Sequence, residues 1–391
     1  MRKCIGIFVA VLILVNLLPA DLMDLYKKGT VNLVPDPGFG KNTDWEELIY
    51  YRRRHIAVAD DGCVFVSNAK QHNIYKFDSR GNLVKTFGRK GLGPGDLFFP
   101  SQLSIAANKY LVINEYATNR RLSIFDLAGN YVKVIKTDWP VFESISLKNN
   151  VIALLTYQTE IKGNKKERIA KIFTHHIDTG EEKPIYARKL DITQTKTVSG
   201  GRKVYYYEEV FFLSTNSGNI LLGFNNNPDL AIYSPAGEKL KSFRLQLKQH
   251  KITAELKERH YNIRLKRAWD NPNMPKRERA SFAKNMKRNK SKILSEFPEF
   301  YPYYTDILID GEDNILVLKN RYVDEPDWKW TPIYQVYSPD GELKCEFGMN
   351  FGKYDTKIWI PREFSNGFLY GIFERETGEE YFYELVKMRL N

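Results

Sequence analysis

A strand, a tight turn and a second strand recur five times along the chain: FDSRGNLVKTF at 77–87, FDLAGNYVKVI at 125–135, HIDTGEEKPIY at 176–186, YSPAGEKLKSF at 233–243 and YSPDGELKCEF at 337–347. The turn glycines are Gly81, Gly129, Gly180, Gly237 and Gly341. They lie 48, 51, 57 and 104 residues apart, and leaving out 248–295 shortens the last gap to 56. Glycine returns at this place because the backbone of such a turn passes through positive φ, which costs glycine nothing. Upstream of each turn a second hairpin can be read: 56–68, 103–115, 145–156, 212–224 and 307–319, each alternating apolar and polar residues around Asp-Gly, Asn-Lys, Asn-Asn, Ser-Gly-Asn or Asp-Gly.

Two hairpins make four strands, and a unit of about 50 residues with four antiparallel strands buries its two faces only against neighbouring copies of itself. The expected fold is therefore all-β: a six-bladed β-propeller with four-stranded antiparallel blades, occupying 30–391 as a single domain. The sixth unit, EFSNGFLYGIF (363–373) and YFYELVKMRL (381–390), ends before a fourth strand. Thr30–Val34 is expected to supply it and close the ring. A composition that is 43% hydrophobic and 14% aromatic is enough for such a core.

The stretch 87–132 resembles an NHL-type repeat. It has Gly91-Leu92-Gly93-Pro94-Gly95, then Phe99-Pro100 before the inner strand, and Asn119-Arg120 before the next. The whole chain is similar to six-bladed propellers of secreted bacterial proteins. It departs from the NHL pattern in carrying Asn68 and Glu115 where those repeats usually have Asp, and in its third unit. The resemblance implies the fold. Some relatives of this kind bind RNA inside cells, and some six-bladed propellers are metal-dependent lactonases and related hydrolases.

Fifty-nine Lys and Arg against 47 Asp and Glu give a net charge of +12, of which +11 falls in 248–295, with fifteen basic and four acidic residues. This segment reads as a basic α-helical insert between blades 4 and 5. Thr253 caps a helix running to about Trp269, Pro272 and Pro275 break it, and Ser281 caps a second one. Phe282, Met286, Ile293 and Phe297 fall on one stripe of that second helix, with lysines and arginine on the other faces. The plain expectation is a helical hairpin resting its stripe on the propeller. An anionic membrane surface, an acidic protein or an acidic polysaccharide are the alternatives.

Arg2 and Lys3 precede the apolar run Ile5–Leu18 and Pro19-Ala20, the form of a secretory signal peptide over 1–20, either cleaved or kept as an anchor. The protein is therefore expected outside the cytoplasm, in the periplasm, secreted or anchored, and export argues against nucleic acid as a partner. Three cysteines make neither a disulfide framework nor a zinc site, and Cys63 and Cys345 read as buried thiols.

In a propeller the first-to-second and third-to-fourth strand turns leave one face of the disc. The second-to-third loops and the crossovers between blades leave the other. The first set is short throughout. The second holds 88–99, the basic loop 157–171, 188–209, 248–302 and 320–332. Long connections on a rigid scaffold are where binding concentrates. The leading expectation is a non-catalytic binding or scaffold module that holds a protein or glycan partner through Trp328, Trp330 and Arg321, with Arg89, Arg120 and Arg202 as further contacts. No cofactor is expected on this reading.

The competing expectation is a metal-dependent hydrolase or lyase with calcium or zinc at the mouth of the central channel. It would be held by Glu143, Glu209, Asp306 and Glu363, with His55 at the matching place in blade 1. Gly88–Gly95 lacks the Gly-Lys-Ser/Thr of a phosphate loop and reads as a turn, and neighbouring His175 and His176 in a strand point to opposite faces. The sequence carries no recognisable nucleophile motif, and it does not fix an oligomeric state.

Overall fold

The computed structural model describes residues 21–49, 55–115, 120–162, 165–190, 209–269, 275–295, 297–319, 331–352, 354, 362–377 and 380–391. The chain is a six-bladed β-propeller. With strands lettered A to D outward from the channel, blade 1 is Ile56–Val58, Val64–Asn68, Asn73–Phe77 and Leu83–Phe87, and blade 2 is Pro100–Ala106, Tyr110–Glu115, Arg121–Asp126 and Tyr131–Lys136. Blade 3 is Val141–Ser146, Val151–Lys162, Lys165–His176 and Glu182–Leu190, and blade 4 is Val210–Ser214, Ile220–Phe224, Asp229–Tyr233 and Lys239–Arg244. Blade 5 is Tyr304–Ile309, Ile315–Lys319, Ile333–Tyr337 and Leu343–Asn350. Blade 6 takes Arg362–Ser365, Phe368–Thr377 and Glu380–Leu390 from the C-terminal end.

The fourth strand of blade 6 comes from the other end of the chain. Strand Thr30–Pro35 runs antiparallel to Glu380–Leu390, pairing Leu33 with Leu390 and Pro35 with Met388, while its first residues pair in parallel with strand D of blade 5, Thr30 with Gly348. Asn32 and Asn391 exchange backbone hydrogen bonds at 3.0 and 2.9 Å. Blades 5 and 6 thereby become one eight-stranded sheet, and the other four blades are separate four-stranded sheets. Helix α1 (Leu22–Tyr26) locks the strand in place: Tyr26 is fully buried, stacks on Phe347 at 4.6 Å between ring centroids, and donates its hydroxyl to Asp310. Helix α2 (Trp45–Leu48) follows, with Trp45, Phe39 and Ile49 packing into the junction of blades 6 and 1.

Alternation along the strands builds the core. Val64 and Val66 of blade 1 point into the cluster shared with blade 6, and Phe65 between them points into the cluster shared with blade 2. Six apolar clusters of this kind each straddle one junction between adjacent blades, so the cohesion of the disc lies between repeats rather than within them. The five repeated turn glycines all have φ between +77° and +91°. At Gly81 a Cβ would lie 2.5 Å from the backbone nitrogen of Gly40.

Among the described residues, three helices lie between blades 4 and 5. Helix α3 (Ala254–Trp269) begins where the Thr253 hydroxyl accepts the Leu256 N–H at 3.2 Å. Helix α4 (Lys276–Arg288) starts after Pro275 rather than at Ser281, which sits inside it, because proline at the N-cap needs no N–H partner and its fixed φ suits the helix start. The chain turns at Asn289 into α5 (Lys290–Ser295). The apolar stripe is not laid on the propeller: Met286, Ile293, Phe282 and Phe297 pack with Tyr261 and Leu265 of α3. The helices bury their apolar faces on one another, and Ile252 N–H to Glu299 O and Tyr301 N–H to His250 O tie the base of the excursion.

Within the segment 157–171, expected as a loop, the described residues 157–162 and 165–171 are sheet. Strands B and C of blade 3 continue past strand A, with Tyr157 opposite Ala170 and Arg168 opposite Thr159. Strands B and C of blade 6 lengthen in the same way, to Thr377 and from Glu380.

Candidate functional site

Every strand A starts at the face from which the long connections leave, so the first residues of these strands border the mouth of the channel there. His55 precedes strand A of blade 1, Gln102 and Glu143 lie in those of blades 2 and 3, Glu209 precedes that of blade 4, and Asp306 and Glu363 lie in those of blades 5 and 6. Gln102 bridges to the next blade: its Oε1 accepts the Ser144 N–H at 2.6 Å, and its amide donates to Glu143 at 3.5 Å. Glu363 reaches across the closing junction to accept the Val58 N–H.

The four acidic residues expected in the channel all sit at or just before the starts of inner strands. Glu143 feels the charge of Glu209, and Glu209 that of Asp306. Glu143, Asp306 and Glu363 are half-buried and Glu209 is exposed. Loss of hydration pushes Glu143 and Glu363 up to about 8, and the neighbouring Glu209 charge adds to the effect at Glu143. Glu209 is raised by desolvation and by Asp306. Desolvation holds His55 down to about 4, so it is neutral at pH 7. Among the described residues no three His, Cys, Asp or Glu side chains are gathered as a metal site would need.

On the same face, beside the rim, Phe142 is 42% exposed and meets Tyr157 edge-on at 4.6 Å, and the Arg168 guanidinium lies 4.0 Å from the Tyr157 ring centroid. The extended hairpin of blade 3 creates this aromatic and cationic cluster. It was not legible in the sequence because 157–171 read as a loop, although Tyr157 and Arg168 continue the strand alternation.

Of the six residues expected to contact a partner, Trp328, Trp330, Arg321 and Arg202 fall outside the described residues. Arg89 is exposed and its Nε pairs with Asp96 at 2.7 Å. Arg120, at φ +47°, donates to the Asp138 carbonyl at 3.3 Å. Sequence reasoning passed over Arg121, which is 8% exposed and clamps the glycine-rich crossover. It forms a forked pair with Glu115 at 2.8 Å and donates to the carbonyls of Gly91, Leu92 and Asp96. Glu115 thus fills, with its longer reach, the place where the resembling repeats have Asp.

His175 pairs with Glu182 at 3.0 Å, and His176 accepts the N–H groups of Asp178 and Thr179, so both serve blade 3. Cys63 and Cys345 are free and only partly buried.

Residues 48–212 match the model of the family DUF5128, described as a 6-bladed beta-propeller. No curated protein matches the chain. Among solved structures, a member of the DUF4221 family from Bacteroides vulgatus is similar at 12% identity and a TM-score of 0.47, covering 93% of this chain and 99% of that one. A catalytically inactive virginiamycin B lyase from Staphylococcus aureus, with quinupristin, is similar at 12% identity and 0.42, over 92% and 88% of the two chains. A gluconolactonase from Xanthomonas campestris is similar at 8% identity and 0.39, over 87% and 86%. At these TM-scores none of the three bears on the chemistry of this chain.

Proposed function

We propose that this protein is a non-catalytic binding module, working outside the cytoplasm after export through 1–20, that holds a protein or glycan partner against the long-connection face of the disc. The observation that carries the reading is the one-sidedness of the decoration. The extended hairpins, the crossover 88–99 and the helices α3–α5 all leave from the face that also bears Phe142, Tyr157 and Arg168. A rigid ring supplies a platform, and exposed aromatics with a guanidinium beside them are the residue types that dominate interface energies. Trp328, Trp330 and Arg321 would extend the same surface.

Photo-crosslinking in the intact cell envelope tests this without knowing the partner. A benzoylphenylalanine at Phe142 should yield a discrete adduct that disappears when Trp328 and Trp330 are both changed to alanine, and the same group at Thr179, in a turn of the opposite face, should yield none. Adducts confined to Thr179 would overturn the proposal.

A second reading starts from the charge coupling of Glu143 with Glu209 and of Glu209 with Asp306: a bound calcium ion that drew these carboxylates together would neutralise them in support of hydrolase or lyase chemistry. Calcium would displace the proton from Glu143 and raise the melting temperature in a concentration-dependent way. A melt that is the same with calcium and with EDTA rejects this reading.

A further inference from the structure

The helices between blades 4 and 5 keep a core of their own. Tyr261, Met286 and Ile293 are buried there with Phe282 and Phe297 packed against them, and the base of the excursion is closed by its own backbone hydrogen bonds. The apolar side of these helices is thus spent within the excursion. What it offers outward is charge.

Helix α4 concentrates that charge. Ala283 and Met286 are its buried residues, and on the opposite side Arg277, Lys284 and Arg288, at i, i+7 and i+11, form a stripe about 16 Å long with Lys287 beside it. All four are exposed. The one carboxylate of the helix, Glu278, lies in its first turn, about 100° round the axis from Arg277. Among the described residues, the ion pairs of the excursion join Lys290 to Glu258 and Lys251 to Glu299, and none involves the four. Lys284 stands one turn from both Lys287 and Arg288, and like charges at that spacing repel and weaken a helix. An anionic surface outside the protein would relieve the repulsion.

The stripe carries charge without shape. It runs along the convex outer side of a helix, and its exposed neighbours Lys276, Ala280 and Ser281 include no ring to stack on a sugar or to seat in a protein pocket. A bilayer with anionic headgroups needs neither, because lipids rearrange to meet cations wherever they stand. No described helix is long and apolar enough to cross a membrane, and the apolar side of α4 is already covered, so the contact is with headgroups alone.

We propose that the outer face of α4 docks the protein on an anionic membrane surface, with Arg277, Lys284, Lys287 and Arg288 making the contact. The proposal is independent of the partner held near Phe142.

Co-sedimentation of the full chain with vesicles tests it. Vesicles of one-third phosphatidylglycerol in phosphatidylcholine should bind more protein than vesicles of phosphatidylcholine alone. That excess should disappear between about 0.1 M and about 1 M salt, as the screening length shrinks from about 10 to about 3 Å. The quadruple variant Arg277→Gln, Lys284→Gln, Lys287→Gln, Arg288→Gln should lose about tenfold or more in affinity for the anionic vesicles, with a melting temperature unchanged or higher. Glutamine at Lys85, Lys136, Lys183 and Lys239 removes the same net charge from exposed positions on outer strands and should leave the affinity as it was. Arg277→Lys with Arg288→Lys should also bind as wild type, since a bilayer reads charge and not the guanidinium fork. Every variant keeps 1–20, so any binding through the apolar run Ile5–Leu18 cancels in the comparison. No preference for the anionic vesicles would overturn the proposal. So would an equal loss in the two glutamine variants, a loss in the arginine-to-lysine variant, or a lowered melting temperature in the α4 glutamine variant. Retention on polygalacturonate beads without binding to vesicles would overturn it in favour of an acidic polysaccharide.

Discussion

Glu143 and Glu363 are held up to about 8 at the channel rim, while His55 is held down to about 4. The signs of their contributions to stability are opposite. A carboxyl whose folded value lies above its unfolded value of about 4.5 binds more protons when folded, so its contribution falls as pH rises from 4.5 through 8. A histidine whose folded value lies below about 6.5 binds fewer, so its contribution rises with pH from 4 to 6.5 and is then complete. Between pH 6.5 and 8 the His55 contribution is complete while that of Glu143 and Glu363 is still falling, and the melting temperature should decline there. The double variant Glu143→Gln, Glu363→Gln should flatten that decline, and an equal slope in wild type and variant would show that the rim does not titrate in this window. Gly81 poses a different residue-scale constraint. At φ +78°, with the Gly40 backbone in the way of a Cβ, Gly81→Ala should cost about 2 kcal/mol or more in urea unfolding. A neutral substitution would mean that the contact between this turn and the N-terminal segment is dispensable. The turn glycines were readable from the sequence because their φ requirement is local. What Gly81 leans on was not, since Gly40 lies 41 residues away and belongs to no repeat.

The elements show where local pattern stops being informative. Period-two alternation located the strands, and the number of strands per unit followed from the turns. The same rule should have extended strands B and C of blade 3, but the lysine-rich composition of 157–171 suggested a loop. A hairpin projecting beyond its sheet has no apolar face to announce it, yet six pairs from Tyr157–Ala170 to Lys162–Lys165 hold it together. The helical excursion was legible as helices because caps and breakers are local signals. Its packing was not, because a stripe of Phe282, Met286 and Ile293 fits equally well against a sheet or another helix, and the partner, α3, decides. Arg121 makes the matching point for a crossover. It is a single cation read as part of a strand, and it donates to three carbonyls of the glycine-rich segment while its charge is met by Glu115. Arg121→Met leaves Glu115 buried without its countercharge and should destabilise the protein by about 3–5 kcal/mol, with faster amide exchange over 88–97. Wild-type stability and exchange in this variant would remove the clamp from the account.

At the scale of the whole molecule, the ring explains both the stability and the asymmetry. Each apolar cluster is shared by two blades, so no blade is complete alone, and the last junction closes only because Thr30–Pro35 returns to the C-terminal strand. A closed disc fixes which connections leave from which side, and the one-sided loops that support the proposed binding face follow from that. The six-fold architecture could be read from turn spacing. The electrostatic coupling of Glu143 to Glu209 and of Glu209 to Asp306 could be anticipated, because equivalent strand positions converge on one axis. All of these depend on closure. Amide hydrogen exchange read by mass spectrometry measures it directly. Peptides covering 30–35 and 386–391 should be as protected as the buried strand Tyr110–Glu115 of blade 2 and should exchange together with it as denaturant is added. Rapid exchange of 30–35 and 386–391 under native conditions, with Tyr110–Glu115 still protected, would mean that the ring is open and would contradict the account.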